Sequence, residues 1–382
     1  MNNSRKKVLM AATVPSMIGQ FNMDNLRILQ DMGYEVHVAC DFTDRSVWTT
    51  ARVQRFIDQL DQMDIRHYQI DFARTPLKLK KHVVSYIQLK KLFHENHYAF
   101  VHCHTPVASV ICRIVAHQKR TKCIYTAHGF HFYNGAPWKN WLIFYPIEKF
   151  LSKWTDVLIT INREDYLRAT TKFHAKNVQY IPGVGIDMNR FVCDPTIANA
   201  KRTELGLSDE DIMLLSVGEL SSRKNHESVI RAIKMVDHSN IKYFICGKGE
   251  LEEHLRNLIH ELDLTQHVIL LGYRNDIKDL CHAGDLFVFP SHQEGLPVAL
   301  MEAIACKMPV ICSKIRGNTD LVHDYMFDSH NVEDQAMILK KVTKSRVELH
   351  EQMQKSVDAN YEHLKTFDLS CVSAMMRKLY EI

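Results

Sequence analysis

The chain has no apolar run of 18 or more residues, so no membrane-spanning helix is expected. It has no CxxC pair, and its ten cysteines follow no regular framework. Several, such as Cys40, Cys246 and Cys312, sit inside apolar runs, which reads as reduced, buried thiols of a cytoplasmic protein. No GxGxxG follows a strand-like run, which argues against an ordinary dinucleotide site. No pair of carboxylates stands out as nucleophile and acid. No basic–aromatic module for nucleic acid is visible, so no nucleic-acid partner is expected.

What is present is 382 residues, comfortable for two domains, with 46% apolar and 24% charged residues. The start, MNNSRKKVLMAATVPS, has the basic-then-apolar order of a signal peptide, but the run 8–12 is very short and reads as a buried first strand. The net charge of +4 hides an asymmetry: residues 1–186 carry 25 Lys and Arg against 14 Asp and Glu, the remainder 23 against 30. A basic first half suits an anionic partner such as a phospholipid surface or a lipid diphosphate. VHCHTP places His102, Cys103 and His104 together, but neighbours in a strand point to opposite faces and cannot all grip one ion.

Short β-branched runs alternate with helical patterns. In the first half they cover 7–12, 35–40, 99–102, 122–126 and 157–160, with a helix over 22–32 closed by Gly33. The rhythm breaks at IPGVGID (181–187) and resumes at 213–217, 242–246, 267–271, 286–289 and 309–312, with a helix over 251–262. Beyond about residue 330 only helical patterns remain. The prediction is α/β: two Rossmann-like, doubly wound domains facing across a cleft, 1–186 and 187–367, followed by a helix over 368–382. That last helix carries apolar Leu369, Val372, Met375, Met376 and Leu379 on one side.

The segment SHQEGLPVALMEAIACKMPVICS (291–313) reads as a turn and a helix opening at a strand's carboxyl end, with Pro297 at the first helical position. Free N–H groups there attract phosphate, and Gly295 allows close approach. Glu294 and Glu302 would repel phosphate but accept hydrogen bonds from hydroxyls. A sugar nucleotide carries both groups. The same two glutamates read equally well as a capping charge and a solvated helix residue.

EGLPVALMEA resembles the EGxPxxxxEA signature of the retaining glycosyltransferases of family 4, which have the GT-B fold. VGELSSRKNHESVIRAI, ICGKGELEEHL and LGYRNDI resemble that family's phosphate-binding loop, Gly-x-Gly turn and base-side loop. GYEVHVA, VHCHTP, YTAHGFHFYNGAP and ITINREDY resemble its branch that builds capsular, exopolysaccharide and lipid-linked glycans in bacteria. The resemblance implies that Glu302 holds the ribose hydroxyls and Glu294 those of the transferred sugar. The N–H groups of Gly295, Leu296 and the neighbours of Pro297, which has none itself, would then meet the sugar and diphosphate. It puts Lys224 on the diphosphate, Gly19 at backbone approach to it, and His128 beside the transferred sugar. The family arginine five residues before the lysine is Glu219 here, so Arg223 becomes the candidate second cation.

The resemblance further implies retention by front-side attack, with no metal and no other cofactor. The one DxD, Asp209 to Asp211, reads as a solvated turn. The donor is expected to be a UDP-hexose or UDP-N-acetylhexosamine. Residues 136–154 mix three tryptophans with lysines, and 77–91 are basic; both suit an interfacial helix. The expected acceptor is an undecaprenyl-diphosphate-linked glycan. The enzyme would be cytoplasmic, in peripheral contact with the anionic inner face of the plasma membrane. The last helix is expected to pack near 142–151. Two other readings share these features: a GT-B-like UDP-sugar epimerase, and a non-catalytic protein that binds sugar nucleotides or nucleic acid.

Overall fold

A computed structural model describes residues 5–192, 194–236 and 239–381. The chain divides into two compact units, Met1–Gly185 with Ser370–Ile382, and Ile186–Leu369. The first holds a seven-stranded sheet in the order β3-β2-β1-β4-β5-β6-β7, the second a six-stranded sheet in the order β10-β9-β8-β11-β12-β13. Every pairing is parallel. Both sheets are therefore doubly wound, and each reverses strand order beside its first strand, where such sheets bind ligands at their carboxyl ends.

The first sheet consists of β1 (Lys7–Ala11), β2 (Glu35–Cys40), β3 (Arg66–Gln69), β4 (Tyr98–His104), β5 (Lys122–Ala127), β6 (Val157–Thr160) and β7 (Asn177–Tyr180). The second consists of β8 (Ile212–Val217), β9 (Ile241–Cys246), β10 (Val268–Gly272), β11 (Leu286–Phe289), β12 (Val310–Ser313) and β13 (Met326–Phe327). Central strands are buried on both faces and so read as unbroken apolar runs. In β1, Val8 and Met10 point into one core layer while Leu9 and Ala11 point into the other. The strands not foreseen are β3, β7 and β13. The first two read RHYQ and NVQY, carry no apolar run, and lie at the sheet edges. The helix expected over 22–32 is Met23–Asp31, and Gly33 follows it at φ +84°.

The final helix, Leu369–Tyr380, corrects one expectation. Val372, Met376 and Tyr380 join Val8, Met10, Phe100 and Ile124 in the core layer on one face of the first sheet. The helix Trp138–Leu151, its expected partner, contributes Trp141, Phe144 and Tyr145 to the opposite layer. Met375, assigned to the buried stripe, is 44% exposed, and Tyr380 takes the anchoring role. The Tyr380 ring stacks on Phe100 at 5.7 Å, and its hydroxyl lies 2.8 Å from His102 Nδ1. Trp138–Leu151 continues through Pro146 as one helix.

Candidate functional site

In the second unit, three loops converge at the carboxyl ends of the strands. The loop after β8 lies against the turn after β9: Gly218 N–H donates to Cys246 O, and Leu220 N–H to Lys248 O. The approach is so close that a Cβ on Gly247, at φ +156°, would stand 1.8 Å from the Gly218 carbonyl oxygen. Only glycine fits there. The loop after β11 is pinned from the side by residues 315–318. Arg316, itself buried, donates from Nε to the Glu294 carbonyl oxygen at 3.1 Å. A Cβ on Gly317 would meet Gly295 O at 2.6 Å. The sequence reading missed Arg316 and Gly317, since nothing in their spacing ties them to a loop twenty residues earlier.

These loops bring Lys224, Arg223 and Glu294 together. Glu294 Oε1 accepts from Lys224 Nζ at 2.7 Å and from Arg223 Nη1 at 2.9 Å. Lys224 is largely buried and sits 4.6 Å above the Phe289 ring. Burial lowers its pKa, opposed by Glu294. Glu219, which stands where the family arginine would be, is mostly exposed and 4.0 Å from Arg223. Arg223 and Lys224 thus share one carboxylate oxygen, which places the two cations side by side.

After the loop, Pro297 serves as the N-cap of the helix Val298–Ala305, one position earlier than the sequence reading placed it. The helix start follows Gly295 and Leu296 directly and has no side-chain cap. Glu302 lies in the middle of that helix. Its carboxylate has no hydrogen-bond donor among the described residues, and it is half-buried. Burial, with Cys306, raises its pKa, and Arg190 counteracts this in part. A carboxylate so placed can accept from two vicinal hydroxyls. Asp211, of the DxD, accepts from the Ser208 N–H and hydroxyl, both at 2.7 Å, and closes a turn before β8.

The remaining candidates lie in the first unit. His128 follows β5, and its Nε2 is 3.1 Å from His104 Nδ1. The His104 ring in turn lies against that of His102, tilted by 40° with centroids 4.2 Å apart. Cys103, between them, faces the other core layer, as strand alternation requires. Burial pushes His128 down to about 4 and His102 to about 3, so these imidazoles are neutral near pH 7. Gly19 is not in the first strand-to-helix loop but inside the helix Pro15–Phe21. A Cβ there would meet Trp48 at 2.5 Å and Phe56 at 2.9 Å. What the structure gives Gly19 is a packing reason.

Eight of the described cysteines are buried thiols, and Cys371 is exposed; Cys193 lies outside the described residues. No described helix is long and apolar enough to cross a membrane.

Two family descriptions match the chain: "Glycosyl transferases group 1" over residues 198–359 and "Glycosyl transferase 4-like" over residues 20–162. The putative glycosyltransferase EpsD of Bacillus subtilis is 35% identical over 326 residues, covering 84% of this chain and 81% of that protein. An Escherichia coli protein named UDP-Gal:alpha-D-GlcNAc-diphosphoundecaprenol alpha-1,3-galactosyltransferase is 30% identical over 302 residues, covering 76% and 78%. Among solved structures, Anabaena HepE in complex with UDP superposes with a TM-score of 0.76 at 18% identity, over 98% of this chain and 99% of that one. WaaG, of lipopolysaccharide biosynthesis, gives 0.69 at 16% identity, over 97% and 99%. With these relatives beside its two doubly wound sheets, the chain belongs to the family 4 glycosyltransferases of GT-B fold and is a glycosyltransferase.

Proposed function

We propose that the enzyme transfers a hexose or N-acetylhexosamine from a UDP-sugar to an undecaprenyl-diphosphate-linked glycan, with retention and without metal, in cell-surface polysaccharide synthesis. The observation that carries this reading is the triad of Lys224, Arg223 and Glu294 at a helix N-terminus. Each cation donates to the carboxylate. An arriving diphosphate is the better partner for both, and its binding releases Glu294 to accept hydroxyls of the transferred sugar. Glu302 takes the ribose. As the anomeric C–O bond to the nucleotide breaks, charge grows on the departing diphosphate, where Lys224 and Arg223 meet it. The acceptor oxygen forms the new bond on the same face and passes its proton to that diphosphate. The two cations and the helix N–H groups supply the charge that a metal would otherwise bring.

Support for the donor comes from HepE, solved with UDP and with UDP-glucose. The Escherichia coli relative, by name a galactosyltransferase acting on a diphosphoundecaprenol-linked sugar, supports the acceptor. The basic first half and the exposed Trp138, Leu142 and Phe150 support contact with an anionic membrane at the cytoplasmic face.

The test is incubation with a panel of UDP-sugars and lipid-diphosphate sugars, with products read by mass spectrometry and their anomeric configuration by NMR. Transfer with retention, unchanged by EDTA, is expected. Inversion, or activity lost to EDTA and restored by magnesium, overturns the mechanism. Epimerisation of the UDP-sugar without an acceptor overturns the reaction class.

A further inference from the structure

The helix Pro106–Lys119 is apolar on two sides. One side, with Ala108, Cys112 and Val115, lies on the first sheet and is buried. The other carries Val107, Val110 and Ile114 at spacings of three and four, which are only half-buried among the described residues. A helix apolar all round is normally buried all round. Here the second side is instead the floor of a groove of about 570 Å³, walled by Leu79 and Val83 of the helix Leu79–Glu95 and by Ile147 of Trp138–Leu151. That volume is within the usual range for ligand sites, roughly 300–1,000 Å³. The one carboxylate on the groove, Glu148, is neutralised beneath it by Arg113 Nη1 at 2.8 Å, so the interior presents no unpaired charge.

The groove does not end blindly. It shares Pro76, Pro106, Val107 and Phe144 with a second cavity of about 360 Å³. That cavity is lined in part by Thr13, Gln20, Arg74, Thr105 and His131, and it sits where β1 and β4 end, at the strand-order reversal of the first sheet. Arg74 donates to Ser46 Oγ at 2.6 Å and has no carboxylate partner among the described residues. Thr105 is held at φ +67° by its hydroxyl's contact with Thr13 Oγ1 at 2.7 Å. A β-branched residue in that region is strained, and such strain gathers at functional sites.

We propose that the two cavities are one site for an isoprenoid diphosphate, its chain in the apolar groove and its anionic head beside Arg74. This rests on the lipid-linked acceptor reading and names how that acceptor is held. The occupant is the acceptor's own chain and not the bilayer surface, because the groove leads from an apolar slot into a polar pocket at the strand ends. A molecule with one chain and one charged head has that shape.

The probes are farnesyl diphosphate, geranyl diphosphate, farnesol and inorganic diphosphate, binding the full-length protein by calorimetry. Each buried methylene is worth roughly fourfold in affinity, so an isoprene unit should be worth at least about tenfold. Farnesyl diphosphate is expected to bind at least about tenfold tighter than geranyl diphosphate, and far tighter than inorganic diphosphate. Val110→Glu should abolish the chain-length dependence while leaving UDP binding unchanged, and Val110→Ile should retain it. Equal affinity for the two prenyl diphosphates, or indifference to Val110→Glu, overturns the proposal. So does loss of binding to phosphatidylglycerol vesicles in Val110→Glu with prenyl-diphosphate binding intact, which would make the face a bilayer contact. Transfer to lipid-diphosphate sugars without chain dependence keeps the acceptor and refutes the groove. Groove-dependent farnesyl diphosphate binding, with no such sugar accepted, keeps the groove and refutes the acceptor.

Discussion

Glu302→Gln should act in opposite directions on ligand binding and on stability. The substitution preserves size and removes charge from a half-buried carboxylate that has no donor among the described residues. In the folded protein burial raises the Glu302 pKa. A raised acid pKa means that the folded state binds the extra proton, so stability falls as pH rises through the titration and the full penalty is present at neutral pH. The neutral amide escapes that penalty, and the variant should melt at a higher temperature than the parent at pH 7. Bound nucleotide reverses the sign. Hydrogen bonds to a charged acceptor are worth about 1.5–3 kcal/mol, so losing them should weaken UDP binding roughly ten- to a hundredfold. Calorimetric titration with UDP and a thermal melt without it measure the two effects. Unchanged UDP affinity refutes the ribose assignment. A lower melting temperature refutes the claim that the carboxylate lacks a partner.

Lys224→Ala should lower kcat more than it raises the donor KM, because the charge it meets grows toward the transition state; a change confined to KM would make it a plain binder. Tyr380→Ala should cost roughly 3–5 kcal/mol of first-unit stability in urea titrations, as for other fully buried aromatics. Tyr380→Phe, which strands His102 Nδ1, should cost about 1–3 kcal/mol; no loss in either variant would mean that the last helix is not anchored there. With His128 held at about 4, kcat/KM should show no imidazole inflection between about pH 5.5 and 8. The same group should cost the first unit stability as pH falls below about 6.5, where the unfolded imidazole gains a proton that the folded one refuses. An inflection near 6.5 would show that His128 is solvated.

The buried strands were legible because a parallel sheet covered on both faces demands unbroken apolar runs, and β2, β6 and β11 match their expected limits residue for residue. The edge strands β3 and β7 were not, since an edge half open to water needs no such run. The turn and helix around Glu294 were legible from Gly295, Pro297 and the apolar run that follows. Arg316 was not, because its contact with the Glu294 carbonyl is set by how two loops fold beside one another. Gly19 was misplaced for a related reason: a glycine needed for the aromatic edges of Trp48 and Phe56 looks, in one dimension, like a glycine needed for a turn. Tyr380 escaped the helical stripe because its burial depends on Phe100 and His102, far away in the chain.

That buried tyrosine has a consequence for how the molecule is made. Residues 186–369 form the second unit as one continuous stretch, whereas the core of the first is completed only by Val372, Met376 and Tyr380. Domains usually fold in order of synthesis, at about 5–20 residues per second. Here the domain that starts first must wait for the whole of the other, a delay of roughly 10–40 s at that rate. During that interval the face of the first sheet around Val8, Met10 and Phe100 lacks its cover and is open to chaperones and to aggregation. A stop codon introduced just before Ser370 would therefore damage the unit built from residues 1–185 rather than the one it directly follows.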